Sequence, residues 1–212
     1  MNTSATQKHR YPRPDISLIE SDIPKWGVDI YIGGSTGLAN EQLLARHHIK
    51  AVINCAVNLD INLVTEPESD IPEHLSTYGS GKVRYYKLGL VDGPGNPDVM
   101  MLAGYYLMRS ILEQRLPEKP SYKNREKGNI LINCRGGRSR SVTLVALFLH
   151  LECPQRYPSL SDAIAHVREK RQLHPNEWYE TPKPELISIA EKAAQMAILL
   201  KEAGFDSQHE AV

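Results

Sequence analysis

The run Asn129-Ile130-Leu131-Ile132-Asn133-Cys134-Arg135-Gly136-Gly137-Arg138-Ser139-Arg140-Ser141 limits what this chain can fold into more than any other stretch. Its first part is a short continuous apolar run, the pattern of a strand buried on both faces. Two adjacent glycines follow in a polar turn, and an apolar helix then runs from about Arg140 to Leu151. A strand covered on both faces needs strands beside it and helices above and below.

The rest of the chain supplies them. Val28–Ile32 alternates and stops at Gly33-Gly34, which predicts a strand. Asn40–Arg46 suits a short helix, and Lys50–Val57 is a second run buried on both faces. Val83–Leu88 predicts another strand. Asn96-Pro97-Asp98 reads as a helix start for a helix over Val99–Leu116. Pro117–Gly128 is a charged connector. Leu160, Ala163, Ile164 and Val167 recur at helical spacing behind a Ser159 or Ser161 cap. Leu186, Ile189, Ala190, Ala193, Ala197 and Leu200 make another such stripe. Strands alternating with helices predict one α/β domain. Its expected bounds are 16–205, with a polar arm at 1–15 and a tail at 206–212. Asn58–Gly81 is too long and polar for a plain loop, so it is read as functional or mobile.

Composition narrows the function classes. The chain of 212 residues carries 25 Lys+Arg against 25 Asp+Glu, a formal net charge of zero. That argues against a bulk nucleic-acid or membrane-surface binder, so no nucleic acid partner is expected. The longest apolar stretch, Val142–Leu151, is about half of the roughly 20 residues that a membrane span needs, so no integral membrane segment is expected. The N-terminus lacks the apolar core of a secretory signal. Cys55, Cys134 and Cys153 are too few, and odd in number, for a disulfide scaffold. A reducing, cytoplasmic setting is the expectation, and there a cysteine is either a packed hydrophobe or a reactive thiol. Oligomeric state is not readable from the sequence.

The chemistry concentrates where the strand hands over to the helix. A buried strand delivers Cys134 to the sheet edge where ligands bind. A glycine-bearing loop ahead of a helix can turn several backbone N–H groups inward as an anion-binding nest, and Gly136 and Gly137 permit the tight backbone. Arg140 can return its planar guanidinium to the same place, where it suits two oxygens of a phosphate. The same field favours the thiolate, so the Cys134 pKa is expected well below the free value of about 8.5. A thiolate at the floor of a phosphate cradle is a nucleophile set for in-line attack on phosphorus. Ser141 can hydrogen-bond that sulfur and stabilise it as a leaving group. The expected phosphate-binding residues are Arg135, Gly136, Gly137, Arg138, Ser139 and Arg140.

Asn133-Cys134-Arg135-Gly136-Gly137-Arg138-Ser139-Arg140-Ser141 resembles the loop of the cysteine-dependent protein tyrosine phosphatases, specifically their dual-specificity branch, which reads His-Cys-x-x-Gly-x-Ser-Arg-Ser. The resemblance extends to Ile30-Tyr31-Ile32-Gly33, to Val52-Ile53-Asn54-Cys55-Ala56 and to the family's late Arg-x-x-x-Pro-Asn segment, here Lys170–Asn176. It covers about residues 28 to 190. It implies a tyrosine-phosphatase-like fold: one domain with a central, mostly parallel sheet flanked by helices, and a Cys-x5-Arg phosphate-binding loop between strand and helix. It also implies hydrolysis of phosphotyrosine, phosphoserine or phosphothreonine in proteins through a phosphocysteine intermediate, with no metal and no cofactor. Such a mechanism needs a general acid, and Asp92 is the position matching the family's loop aspartate. Without the resemblance, Asp92 reads as a turn former before Gly93. Asp98, the competitor, reads as helix-terminus charge.

Three departures bear on function. Asn133 stands where the family has histidine. It can hydrogen-bond the loop but carries no charge, so a less stabilised thiolate is expected. Arg135 and Arg138 add charge to the rim, either as solvated loop residues or as a preference for a phosphoinositide or other polyanion. Cys55 is either a small buried hydrophobe or, by resemblance to lipid-directed relatives, a redox partner of Cys134. His174 and the His47-His48 pair lack metal-ligand spacing. A sulfurtransferase loop would need arginine at position 139, which is serine, and low-molecular-weight phosphatases and arsenate reductases carry their cysteine near the N-terminus. A phospho-binding module without turnover is the rival from another class.

Overall fold

The computed structural model describes residues 11–205. The first ten residues of the expected arm and the tail at 206–212 lie outside them. Seven strands and six α-helices follow in chain order: β1 (Ile16–Glu20), β2 (Ile30–Gly33), α1 (Ser35–Ala39), α2 (Glu41–Arg46), β3 (Ile49–Ala56), β4 (Val64–Pro67), β5 (Gly79–Gly81), β6 (Arg84–Leu90), α3 (Val99–Glu113), β7 (Asn129–Asn133), α4 (Arg140–Glu152), α5 (Leu160–Lys170) and α6 (Pro184–Glu202).

The main sheet has five strands in the order β1-β2-β7-β3-β6. β2, β7, β3 and β6 run parallel, and β1 closes one edge antiparallel to β2. The two apolar runs of the sequence occupy the centre: β7 lies between β2 and β3, and both central strands are buried along almost their whole length. Alternate residues face opposite layers. Ile30, Ile32, Ile53, Ile130 and Ile132 pack with α3, α4, α5 and α6 in the larger core. Tyr31, Val52 and Leu131 face the other way, with Leu38 of α1, Leu44 of α2 and Val83. Strands of this kind read as continuous hydrophobic runs because neither face meets water.

α4 is buried along every residue from Arg140 to Leu149, which explains why its sequence has no polar face. The other helices follow their signals. Asn40 caps α2, its side chain accepting from the Leu43 N–H. Ser159, rather than Ser161, caps α5 in a capping box with Asp162. α3 stops at Glu113, short of the expected Leu116, and Gln114 turns extended. Pro117 disfavours helix at the residue before it.

Four elements were not apparent in the sequence. β1 and the short α1 carry no clean periodicity, and their places are fixed by distant partners. The long connection after Asn58 contains an antiparallel ribbon, β4 with β5, with no fully buried residue. Among the described residues, no helix is long and apolar enough to cross a membrane.

Candidate active site

Cys134 leaves the end of the central strand β7 and sits at 2% exposure beneath the loop that leads into α4. The loop is held from behind by its carbonyls. The Ser35 N–H donates to the Arg135 carbonyl at 3.1 Å, and Arg171 Nε donates to the Gly137 carbonyl at 2.9 Å. Carbonyls tied outward leave amide N–H groups free to face the sulfur, and those of Ser141 and Arg138 do so. Gly137 adopts φ +62°, and a Cβ there would lie 2.5 Å from the Gly33 carbonyl oxygen, so both the conformation and the close approach require glycine.

The thiol responds to this setting. Burial pushes its pKa up. Against that, the Ser141 hydroxyl and N–H, the Arg140 charge and the Arg138 N–H pull it down, and together they prevail: the thiol lies below its ordinary value. Ser141 Oγ is 3.3 Å from the sulfur.

Arg140 is buried at the start of α4. Its Nη1 donates to Asn58 Oδ1 and to the Leu90 carbonyl, each at 3.1 Å. These bonds fix the guanidinium and leave its Nε with no hydrogen-bond partner among the described residues. That Nε lies 4.0 Å from Asp92 Oδ1. Asp92 is half-exposed in the loop after β6. Asn96 knits that loop: its Oδ1 accepts from the Val91 N–H at 2.8 Å, and its Nδ2 donates to the Val91 and Gly93 carbonyls. Asp98 lines no part of the site and pairs with Lys192 of α6 at 2.8 Å.

One cavity of about 800 Å³ brings Cys134, Arg135, Gly136, Arg138, Ser139, Arg140 and Asp92 together. Gly137 and Ser141 lie beneath its floor, both buried. The sequence-predicted residues differ in how they take part. Arg135 is exposed at the rim. Arg138 is engaged by Glu177, with Nη1 to Oε1 at 3.1 Å. The Ser139 hydroxyl turns away and accepts from the Lys183 N–H at 3.1 Å. Asn133 makes no hydrogen bond to the loop: its amide is fully buried, and neither its oxygen nor its nitrogen has a partner among the described residues. In register it sits between Gly33 and Asn54, and the Asn54 side chain is already satisfied by Ala56, Leu59 and Tyr85. Cys55 is fully buried with a free thiol. Burial and then the neighbouring Cys134 charge push its pKa well above the ordinary value, against the pull of Arg140. Cys153 is buried beside Arg156, outside the cavity.

The sequence reading missed the contribution of the N-terminal arm. Tyr11, Arg13, Pro14 and Asp15 line the cavity. Arg13 Nη2 donates to both Glu177 carboxylate oxygens, at 2.7 and 2.9 Å, and Tyr11 stacks on His174 at 3.8 Å. Asn58, Asn96 and Glu177 also went unread as site residues. Their only sequence signal is an asparagine or glutamate in a loop, which ordinarily means turn chemistry.

The fold is the one seen in solved dual-specificity phosphatases. Human DUSP28 is 17% identical, with 87% of this chain and 96% of that chain covered and a TM-score of 0.55. The Yvh1 phosphatase domain from Chaetomium thermophilum is 18% identical, covering 86% and 97%, with a TM-score of 0.58. PTPMT1, solved in complex with PI(5)P, is 16% identical, covering 89% and 99%, with a TM-score of 0.53. No family model and no curated protein matches the sequence.

Proposed function

We propose that this protein is a phosphomonoester hydrolase that removes phosphate from phosphotyrosine, phosphoserine or phosphothreonine in proteins through a phosphocysteine intermediate. The observation that carries this reading is a buried thiol held below its ordinary pKa, beside a guanidinium whose Nε is uncommitted and 4.0 Å from a loop carboxylate. The loop N–H groups and Arg140 hold the equatorial oxygens of the phosphoryl group. Cys134 Sγ attacks phosphorus as the P–O bond to the leaving group breaks. Asp92 gives its proton to the leaving oxygen. In the second step a water attacks phosphorus, Asp92 takes the water's proton, and the S–P bond breaks to release inorganic phosphate. Ser141 donates to the departing sulfur.

A generic aryl phosphate assayed in chelator-treated buffer tests the reading. Turnover that vanishes in Cys134→Ser and falls about a hundredfold in Asp92→Asn supports it. A folded wild-type protein that binds phosphate but turns nothing over replaces it with a phospho-binding module, and the unpartnered Asn133 is the feature in favour of that outcome.

A second reading, that the substrate is a phosphoinositide or another polyanion, has one observation behind it. Arg135 is exposed at the mouth, next to an Arg138 that keeps part of its guanidinium free. The likeness in fold to a structure solved with PI(5)P agrees. Arg135→Ala and Arg138→Ala should then slow turnover of polyanions far more than that of phosphotyrosine peptide. An equal effect on both discards the idea. The reaction belongs in a reducing compartment such as the cytoplasm, where the thiol stays reduced. Cys55, buried and electrostatically coupled to Cys134, is the proposed redox partner. Mild peroxide should oxidise the two thiols to a disulfide detectable by mass spectrometry, and absence of that cross-link removes the proposal.

A further inference from the structure

Arg171 is the largest fully buried side chain among the described residues, at 1% exposure, just past α5. A buried charge ordinarily has a charged partner. Arg171 has none among the described residues: its hydrogen bonds go to three uncharged acceptors. Nε donates to the Gly137 carbonyl of the cysteine loop at 2.9 Å. Nη1 donates to the Pro14 carbonyl of the arm at 2.5 Å and to Ser17 Oγ of β1 at 2.9 Å. Charged groups act on it only through space. Burial first, and Arg13 second, push its pKa down to about 10, while Cys134 and Asp15 pull the other way. It also lines the cavity that holds Cys134.

Two consequences follow from that placement. A guanidinium is a rigid planar fork, so one that grips Gly137 on one side and the arm on the other fixes the loop relative to the rest of the fold. Gly137 is the residue whose left-handed backbone sets the turn of the loop, and holding its carbonyl outward keeps the following amides aimed at the sulfur. A buried cation with no carboxylate in direct contact among the described residues also leaves an electrostatic deficit that an anion in the cradle would fill.

We propose that Arg171 is a positioning residue of the phosphate cradle: it holds the loop in its anion-binding shape through Gly137, and its unpaired buried charge is balanced by the thiolate or the phosphate that occupies the cradle. It does not touch the reacting atoms. The same guanidinium ties the N-terminal arm to the loop, so the arm becomes part of the cradle's support. The kinetic part of the proposal rests on the phosphatase reading. The electrostatic part does not.

The test uses Arg171→Lys, which keeps charge and loses the fork, and Arg171→Met, which keeps length and loses both. Iodoacetate inactivation across pH reads the Cys134 thiol. It should titrate about one unit higher in the methionine variant and near wild type in the lysine variant. Protection of the thiol by inorganic phosphate should weaken about tenfold in both, because both lose the Gly137 bond. Aryl phosphate turnover should fall about tenfold or more in kcat, with KM changed less. A wild type without turnover sinks the phosphatase reading, yet leaves this proposal to be decided by thiol titration and phosphate protection. If the methionine variant loses its cooperative melt, the lysine variant and Ser17→Ala, which removes one acceptor of the guanidinium, decide by the same readouts. Folded variants with wild-type thiol titration and wild-type phosphate protection overturn the proposal.

Discussion

Cys134 and Cys55 lie in the same core and are equally hidden from water, yet their thiols are driven in opposite directions. Burial pushes both up. For Cys134 the push meets two backbone N–H groups, one hydroxyl and a guanidinium. For Cys55 it meets only the distant pull of Arg140, and the Cys134 charge adds to it. The contrast shows that reactivity here is made by donors aimed at the sulfur. Residue type and depth are the same for both.

The largest expected consequence is selectivity. Near neutral pH, iodoacetamide should label Cys134 about a hundredfold faster than Cys55, because only the thiolate reacts. Comparable labelling rates in peptide mapping of the folded protein would erase the contrast. Next in size, Ser141→Ala removes one donor from the charged sulfur, so its pKa should rise by about one unit. The sign follows directly: less stabilisation of the thiolate moves the onset of alkylation to higher pH. The same variant should slow breakdown of the phosphocysteine more than its formation, seen as a larger burst in stopped-flow assays. Asn133→His brings a positive charge toward the thiolate and should lower its pKa by about half a unit. An unchanged titration would mean that the loop amides and Arg140 already dominate. Smallest of all, Cys55→Ala should leave the Cys134 titration within about 0.2 unit, since a thiol with a raised pKa is uncharged while its neighbour ionises. Its effect should be on stability alone, about 1 kcal/mol by chemical denaturation.

How much of this was legible in the sequence depended on distance along the chain. The cysteine, the glycines, Arg140 and Ser141 are near neighbours on one strand–loop–helix unit, so spacing alone placed them together. The central strands were legible because burial on both faces leaves an unbroken apolar signature. Arg171 and Arg13 were not, because their partners are remote: Arg171 reaches Pro14 and Gly137, and Arg13 reaches Glu177. Asn58 stands at the edge of a long polar connection, and nothing local says that its side-chain amide oxygen steadies Arg140. Asn133 is of a type that can bond the loop. A buried strand position with its neighbouring amide already satisfied gives it no partner, and a leading residue's hydrogen bonds cannot be read from its type alone.

The all-round burial of α4 has a further consequence for motion. Cys134 lies between the central strand of the sheet and the most enclosed helix among the described residues, whereas Asp92 lies on a half-exposed loop. Amide hydrogens of β7 and α4 should therefore exchange with solvent only by global unfolding, while those around Asp92 exchange through local opening. If Asp92 is the proton donor as proposed, it leaves and returns without disturbing the thiol beneath it, and the timing of each turnover is set by the loop, over a cradle held fixed by the core.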